Sequence, residues 1–315
     1  MQSADKLPTE QPAMAGDVKW IEGVTGSTAI ERAARLSLLA RFKTVDESWK
    51  DALDEPRDPE RIHRVRVATR RAGAALRVFD DLLARKPSEQ LNKLLSKLRR
   101  AAGDARDEDV FAERLREWAK TRGDDERPGL DWLAGAEAAK RSATRLGICE
   151  TDRLRSRWRT LIKELRPRAN TTGETLADRA AEQIPRRLTT FHSAASANIN
   201  RPELLHRLRI AGKRLRYALE LLGPGIPAAD QIGLSVQMAQ DILGQAHDAR
   251  TIADRLADQL ALVDHASTAD QIRFRPGIIA WKNHFESEAA AGPARFRDWY
   301  REWQDLLAAT GLRLR

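Results

Sequence analysis

The chain has 315 residues, 42% hydrophobic and 32% charged, and 55 Lys and Arg against 46 Asp and Glu leave a net charge of +9. That length suits one large domain or two ordinary ones, and the charge points to an anionic partner while saying nothing of fold. The single cysteine, Cys149, excludes an intrachain disulfide framework and a CxxC metal cluster, so a reducing, cytoplasmic setting is expected; no apolar run nears the ~18 residues of a membrane span.

Residues 1–28 lack the apolar stretch of a signal peptide and read as a disordered leader. Leu36, Leu39, Phe42 and Trp49 then suit the buried stripe of a first helix. Asp58 and Pro59 mark the start of a second, as N-cap and first helical residue, ahead of HRVRVATRRAGAALRVF at 63–79. A third helix runs past Gly103, and a fourth carries Trp132 and Trp158. After a seam at RPRANTTGE, 166–174, the plan recurs. Thr190-Phe191 stand where the first helix would be, Pro202 opens HRLRIAGKRLRYALELL, and a third helix passes Gly244. Trp281 and Trp299 lie in the fourth.

The two basic segments, beginning at His63 and His206, share seven of seventeen positions, with five more conservative. RPGLDWL from Arg127 resembles RPGIIAW from Arg275, and DRLRSRWRTL from Asp152 resembles ARFRDWYREW from Ala294. The chain therefore reads as two related units, 29–168 and 175–315. No alternating Val/Ile/Thr run of strand length occurs, so the fold is expected to be all-α, with an antiparallel four-helix bundle per unit and the tryptophans as packing residues.

On a helical wheel of about 100° per residue, Val65, Ala68, Ala72, Ala75, Leu76 and Phe79 share one face. His63, Arg66, Arg70 and Arg77 share the opposite one. The second copy sets Leu208, Ala211, Leu215, Ala218, Leu219 and Leu222 against His206, Arg209, Lys213 and Arg216, with Tyr217 and Glu220 at the border. Arg64 and Arg71, like Arg207 and Arg214, flank these stripes. A basic helix face is ordinarily a solvated surface relieved by acids one turn away. Here the first row has no acid between His63 and Phe79, and the second only Glu220. Two copies of an unrelieved row favour an anion site, with the histidines near the helix starts where free N–H groups also attract anions. The spacing does not suit a metal, and none is assigned. On the third helix Lys93, Lys97 and Arg100 share a face whose counterparts are Leu234, Met238 and Asp241, so the first unit should contribute more there. Arg106-Asp107 and His247-Asp248 read as local polar contacts, with both Asp residues structural.

His-x-x-Arg-Val-x-x-x-Arg-Arg at 63–71, Gly-x-x-Arg-Asp at 103–107 and His-x-x-Arg-Ile-x-x-Lys-Arg-x-Arg-Tyr at 206–217 resemble the CHAD domain, a histidine-containing α-helical family. The likeness spans about 30–310. It implies two four-helix units related by pseudo-twofold symmetry with a basic groove or pore between them. It further implies binding of inorganic polyphosphate there, without catalysis. Carried to matching positions, the contacts are His63, Arg66, Arg70, His206, Arg209, Lys213 and Arg216, with Arg64, Arg71, Arg207 and Arg214 secondary. Gly73 departs from the pattern where the second copy has Arg216, which would weaken that half of the groove. The Glu-x-Glu-x-Lys motif of the triphosphate tunnel domain often fused to this family is absent, so the chain reads as a stand-alone module.

The leading expectation is a polyphosphate-binding module, associated with cytoplasmic polyphosphate granules. The alternative is a nucleic-acid-binding protein using the same charge, although single-strand binders pair basic grooves with stacking aromatics and only Tyr217 borders these rows. A phosphohydrolase ranks last, because no P-loop, metal-spaced carboxylate cluster or paired nucleophile is found. No catalytic residue and no cofactor is assigned.

Overall fold

The computed structural model describes residues 20–165, 167, 173–197, 199, 201–226 and 228–310, giving the backbone alone for 139–146 and Pro202. Most of the expected seam, 166–174, lies outside the described residues. The described residues form nine α-helices and no strand, which agrees with the all-α expectation. In order these are α1 (Ile30–Asp54), α2 (Pro59–Val78), α3 (Arg85–Ala119), α4 (Arg127–Cys149), α5 (Arg155–Glu164), α6 (Leu176–Ala195), α7 (Pro202–Leu222), α8 (Ala229–Asp264) and α9 (Thr268–Thr310). No helix among the described residues is long and apolar enough to cross a membrane.

Local chemistry starts these helices where the sequence suggests. Asp58 caps α2, its Oδ1 accepting from the amides of Glu60 (2.8 Å) and Arg61 (3.4 Å), with Pro59 at the first turn. Thr175 and Asp178 form a reciprocal capping box at the start of α6, which the sequence reading passed over. The fourth element of the first half splits into α4 and α5, with Trp132 on one and Trp158 on the other. Thr151 sits at the break: its hydroxyl donates to the Ile148 carbonyl (2.6 Å) and accepts from Trp49 Nε1 (2.8 Å). In the second half α9 runs unbroken, carrying both Trp281 and Trp299.

Every apolar position expected on α2 and α7 is buried. The larger core joins both halves, and it packs the same way in each. Phe42 meets Trp158 edge to face at 5.3 Å, and Phe191 meets Trp299 at 6.0 Å. Leu39, expected inside, is half exposed, because α1 turns its neighbours Leu38 and Phe42 inward instead. A second core takes Phe111, Leu115, Leu130 and Leu133 from the first half and Ile252, Leu256, Ile278, Trp281 and Phe285 from the second. Arg255 reaches across it, donating to the buried carboxylates of Glu108 (2.5 Å) and Glu137 while its guanidinium stacks on Phe111 at 4.0 Å.

The halves clasp each other through reciprocal contacts. The Ile30 amide donates to the Glu174 carbonyl (3.0 Å), and the Leu176 amide donates to the Thr28 carbonyl (2.8 Å). Of the leader expected at 1–28, residues 1–19 lie outside the described residues. Residues 20–28 are part of the fold, with Trp20 packed over Gly223 and the Gly26 carbonyl accepting from the Ala177 amide (2.9 Å). At the other end α4 and α9 cross on the two RPG segments. A Cβ on Gly129 would lie 2.1 Å from the Phe274 carbonyl oxygen, and one on Gly277 would lie 2.0 Å from that of Glu126.

Gly277→Ala should therefore lower the melting temperature in proportion to an overpacking loss of about 1–3 kcal/mol. Gly244→Ala, where nothing lies within 4 Å, should raise stability by about 0.5–1 kcal/mol through helix propensity. Urea denaturation of the two variants checks both signs.

Candidate functional site

The basic helices α2 and α7 lie in direct contact, each with its apolar face in the core and its cations along the crossing. Arg66 and Arg209 anchor this arrangement. Arg66 Nη1 donates to the Gly103 carbonyl (2.9 Å) and to Asp107 Oδ1 (3.1 Å), tying α2 to α3. Arg209 Nη1 donates to the Leu243 carbonyl (2.5 Å), tying α7 to α8. A side chain at Gly103 would stand 3.1 Å from Arg66 Nη1, so the glycine of the Gly-x-x-Arg-Asp motif makes room for this bond.

Arg70 and Lys213, at matching positions of the two copies, are brought together where the helices cross. Both are half-buried, and no carboxylate among the described residues lies within 4 Å of either. Burial lowers the Lys213 ammonium to a pKa of about 8, with the charges of Arg209, Arg70 and Arg66 adding to the effect against Asp248. Burial also lowers the half-buried Arg70 and Arg209 from the usual arginine range, Arg66, Arg216 and Arg99 adding repulsion at Arg70. His63 and His247 are lowered in the same way, chiefly by burial. At His63 the carboxylate of Glu60 opposes Arg106, Arg70 and Arg66, and at His247 Asp248 opposes Arg209, Lys213 and His206. Cations held together without acids in a partly desolvated place can accept an anion.

Not every expected cation is free. Arg71 donates from Nε to Glu220 Oε2 (2.9 Å), and Arg216 Nε lies 3.6 Å from Glu220 Oε1; that carboxylate is only 9% exposed. Thus Arg71 serves first as a bridge between α2 and α7, and the rows are partly neutralised by an acid from across the crossing. Arg216 also donates to the Tyr217 hydroxyl (3.3 Å) and lies over its ring, and Tyr217 is buried, so it offers no open stacking face. Arg64 faces Asp51 of α1 at 3.9 Å. His206, Arg207 and Arg214 are exposed on α7. Arg77 is exposed on α2 with its Nη1 3.5 Å from where a Cβ on Gly73 would stand, so its guanidinium occupies the space that the glycine leaves.

Lys93, Lys97 and Arg100 are exposed, but the α3 charges acting on the crossing are Arg99, beside Arg70 and Arg77, and Arg106, beside His63. Asn92, Arg99, Gly103 and Arg106 form that line. Adjacent positions on a helix point about 100° apart, so this line lies beside the face of Lys93 and Arg100. Arg187 of α6 also joins the cluster beside Arg77 and Arg214. Repeat comparison could not find it, because Leu38 takes its place when Phe42 is matched to Phe191.

The family model of the CHAD domain matches residues 33–257. The chain belongs to the CHAD domain family. The CHAD domain crystal structure from the plant Ricinus communis is similar to it with a TM-score of 0.64 at 22% identity, covering 88% of this chain and 95% of that one. PptA from Streptomyces chartreusis is similar with a TM-score of 0.65 at 16% identity, covering 86% of this chain and 99% of that one. At these identities the two structures establish the CHAD fold. A search of curated proteins found no match.

Lys213 gives this CHAD crossing a measurable pH response. Its lowered pKa means that the folded protein sheds a proton near pH 8 that an unfolded lysine retains. As pH rises from about 7 to 9, affinity for an anion should fall while the free protein gains stability, because the unfolded state then binds more protons. Anion titrations and urea melts across this window should move in opposite directions, and Lys213→Arg should flatten both.

Proposed function

We propose that this protein binds inorganic polyphosphate non-catalytically, along a track formed by the cations of α2 and α7. The carrying observation is the meeting of Arg70 and Lys213 with no carboxylate partner among the described residues, ringed by Arg66, Arg209 and Arg99. Leaving like charges partly buried and unpaired costs folding free energy. A polyanion that fills the crossing removes that cost. Membership of the CHAD family supports the reading, since the resemblance of its motifs implies this ligand. So does the burial of Tyr217, the one aromatic bordering the rows, which leaves a nucleic-acid base no stacking platform there. Within a cell the same binding would attach the protein to polyphosphate granules.

Titration with size-fractionated polyphosphate at two salt concentrations should show tight binding that weakens steeply with salt, by extension from counterion release on DNA. Polyphosphate should displace RNA or single-stranded DNA of equal charge, and the reverse displacement would overturn the choice of ligand. The paired reversal Arg70→Glu with Lys213→Glu should reduce affinity roughly a hundredfold or more without lowering the melting temperature, since it removes like-charge repulsion at the crossing. Reversal at Arg66 and Arg209 should instead lower both, because those side chains hold α2 and α7 to their neighbours.

A further inference from the structure

Reciprocal contacts between the halves at Ile30 and Leu176, and at Gly129 and Gly277, contrast with one place in the crossing. Arg71 of α2 pairs with Glu220 of α7. The copies correspond with an offset of 143 residues (His63 to His206), so the reciprocal pair is Arg214 with Arg77. Arginine thus stands where its counterpart is glutamate. One side of the crossing holds a buried carboxylate between two guanidiniums; the other holds like charges.

On that other side α6 adds a third cation. Arg179 fixes α6 against the end of α2 with two bonds to Asp81, at 2.8 and 2.9 Å, and Gln183 Nε2 donates to the Val78 carbonyl (3.4 Å). Arg187 follows one turn later, with Arg77 and Arg214 among the charges acting on it. Asp80 is the one carboxylate among those charges and opposes Arg214 and Arg77, but it forms no ion pair with Arg187. No ion pair forms with Arg77, Arg187 or Arg214 among the described residues. Arg77 and Arg214 are exposed and Arg187 half-buried, so all three can be reached from solvent.

We propose that Arg77, Arg187 and Arg214 form a phosphate-binding site on one side of the α2–α7 crossing, and that Glu220 closes the other side to the polyanion. This rests on the polyphosphate reading above. A linear chain lying over Arg70 and Lys213 can continue across these three guanidiniums, each a planar donor suited to phosphate oxygens. In the opposite direction it meets a fixed carboxylate that already engages Arg71 and Arg216. The track is one-sided, and Glu220 limits its length.

The test uses the full chain and the same polyphosphate fractions at two salt concentrations, with urea melts as a folding control. Arg187→Gln and Arg214→Gln should each weaken binding roughly tenfold, as loss of a charge-assisted contact does, and lower the salt slope by nearly one unit. Glu220→Gln should tighten binding roughly tenfold with a steeper slope, because the carboxylate charge that repels the polyanion beside Arg71 and Arg216 is removed. Wild-type affinity and slope in both arginine variants would overturn the site. A folded Glu220→Gln protein that binds no tighter would overturn the closure. If Glu220→Gln does not fold, the two arginine variants still decide the site, and Arg216→Gln decides the closure, which requires that it cost less affinity than Arg187→Gln. Failure of the unaltered chain to bind polyphosphate at either salt would instead remove the underlying reading.

Discussion

Two cationic helices are held against each other at Arg70 and Lys213, and the rest of the molecule is arranged to make that juxtaposition tolerable. Like charges at such separations repel by an amount that grows as water is excluded. The repulsion is opposed by the apolar faces of α2 and α7, which are buried throughout, and by guanidinium bonds that aim Arg66 and Arg209 back at carbonyls of α3 and α8. The bridge from Arg71 through Glu220 to Arg216 supplies the direct attraction across the crossing. Removing one partner of such a buried bridge typically costs about 3–5 kcal/mol. The scaffold thereby holds its unpaired cations in place before any anion arrives, which spares a ligand much of the cost of ordering them.

Much of this could be read from the amino acids, because burial and repetition both leave periodic traces. The apolar stripe of α2 and α7 was legible residue by residue, as were the Asp58 cap and the likeness of the two RPG segments, though not their crossing. What the wheel could not supply was the angle at which neighbouring helices look onto the crossing. Arg99, which the wheel does not single out, acts on Arg70 and Arg77 only because of that angle. That missing angle is also why the rows seemed unrelieved: Glu220 is far from Arg71 in sequence, and only the crossing brings it there. Arg187 had no counterpart in the first copy, so internal comparison was blind to it.

The departures from repetition carry information of their own. Glycine at 73 and arginine at 77 are compensating differences from Arg216 and Glu220, since the longer reach of Arg77 back over Gly73 restores a guanidinium to the place that the glycine vacates. The third helices diverge more openly, with Arg106 facing His247 and Arg99 facing Gln240 in aligned positions. The sequence differences between the two halves at these positions give the two sides of the crossing different electrostatic character.

The second core has a bearing on how the molecule is made. Phe111, Leu115, Leu130 and Leu133 find their covering only in side chains that are synthesised more than a hundred residues later. While the polypeptide is still emerging from the ribosome, the N-terminal portion must carry an uncovered apolar surface, and closing such distant contacts is intrinsically slow. Maturation of this region therefore has to wait until α8 and α9 have been made.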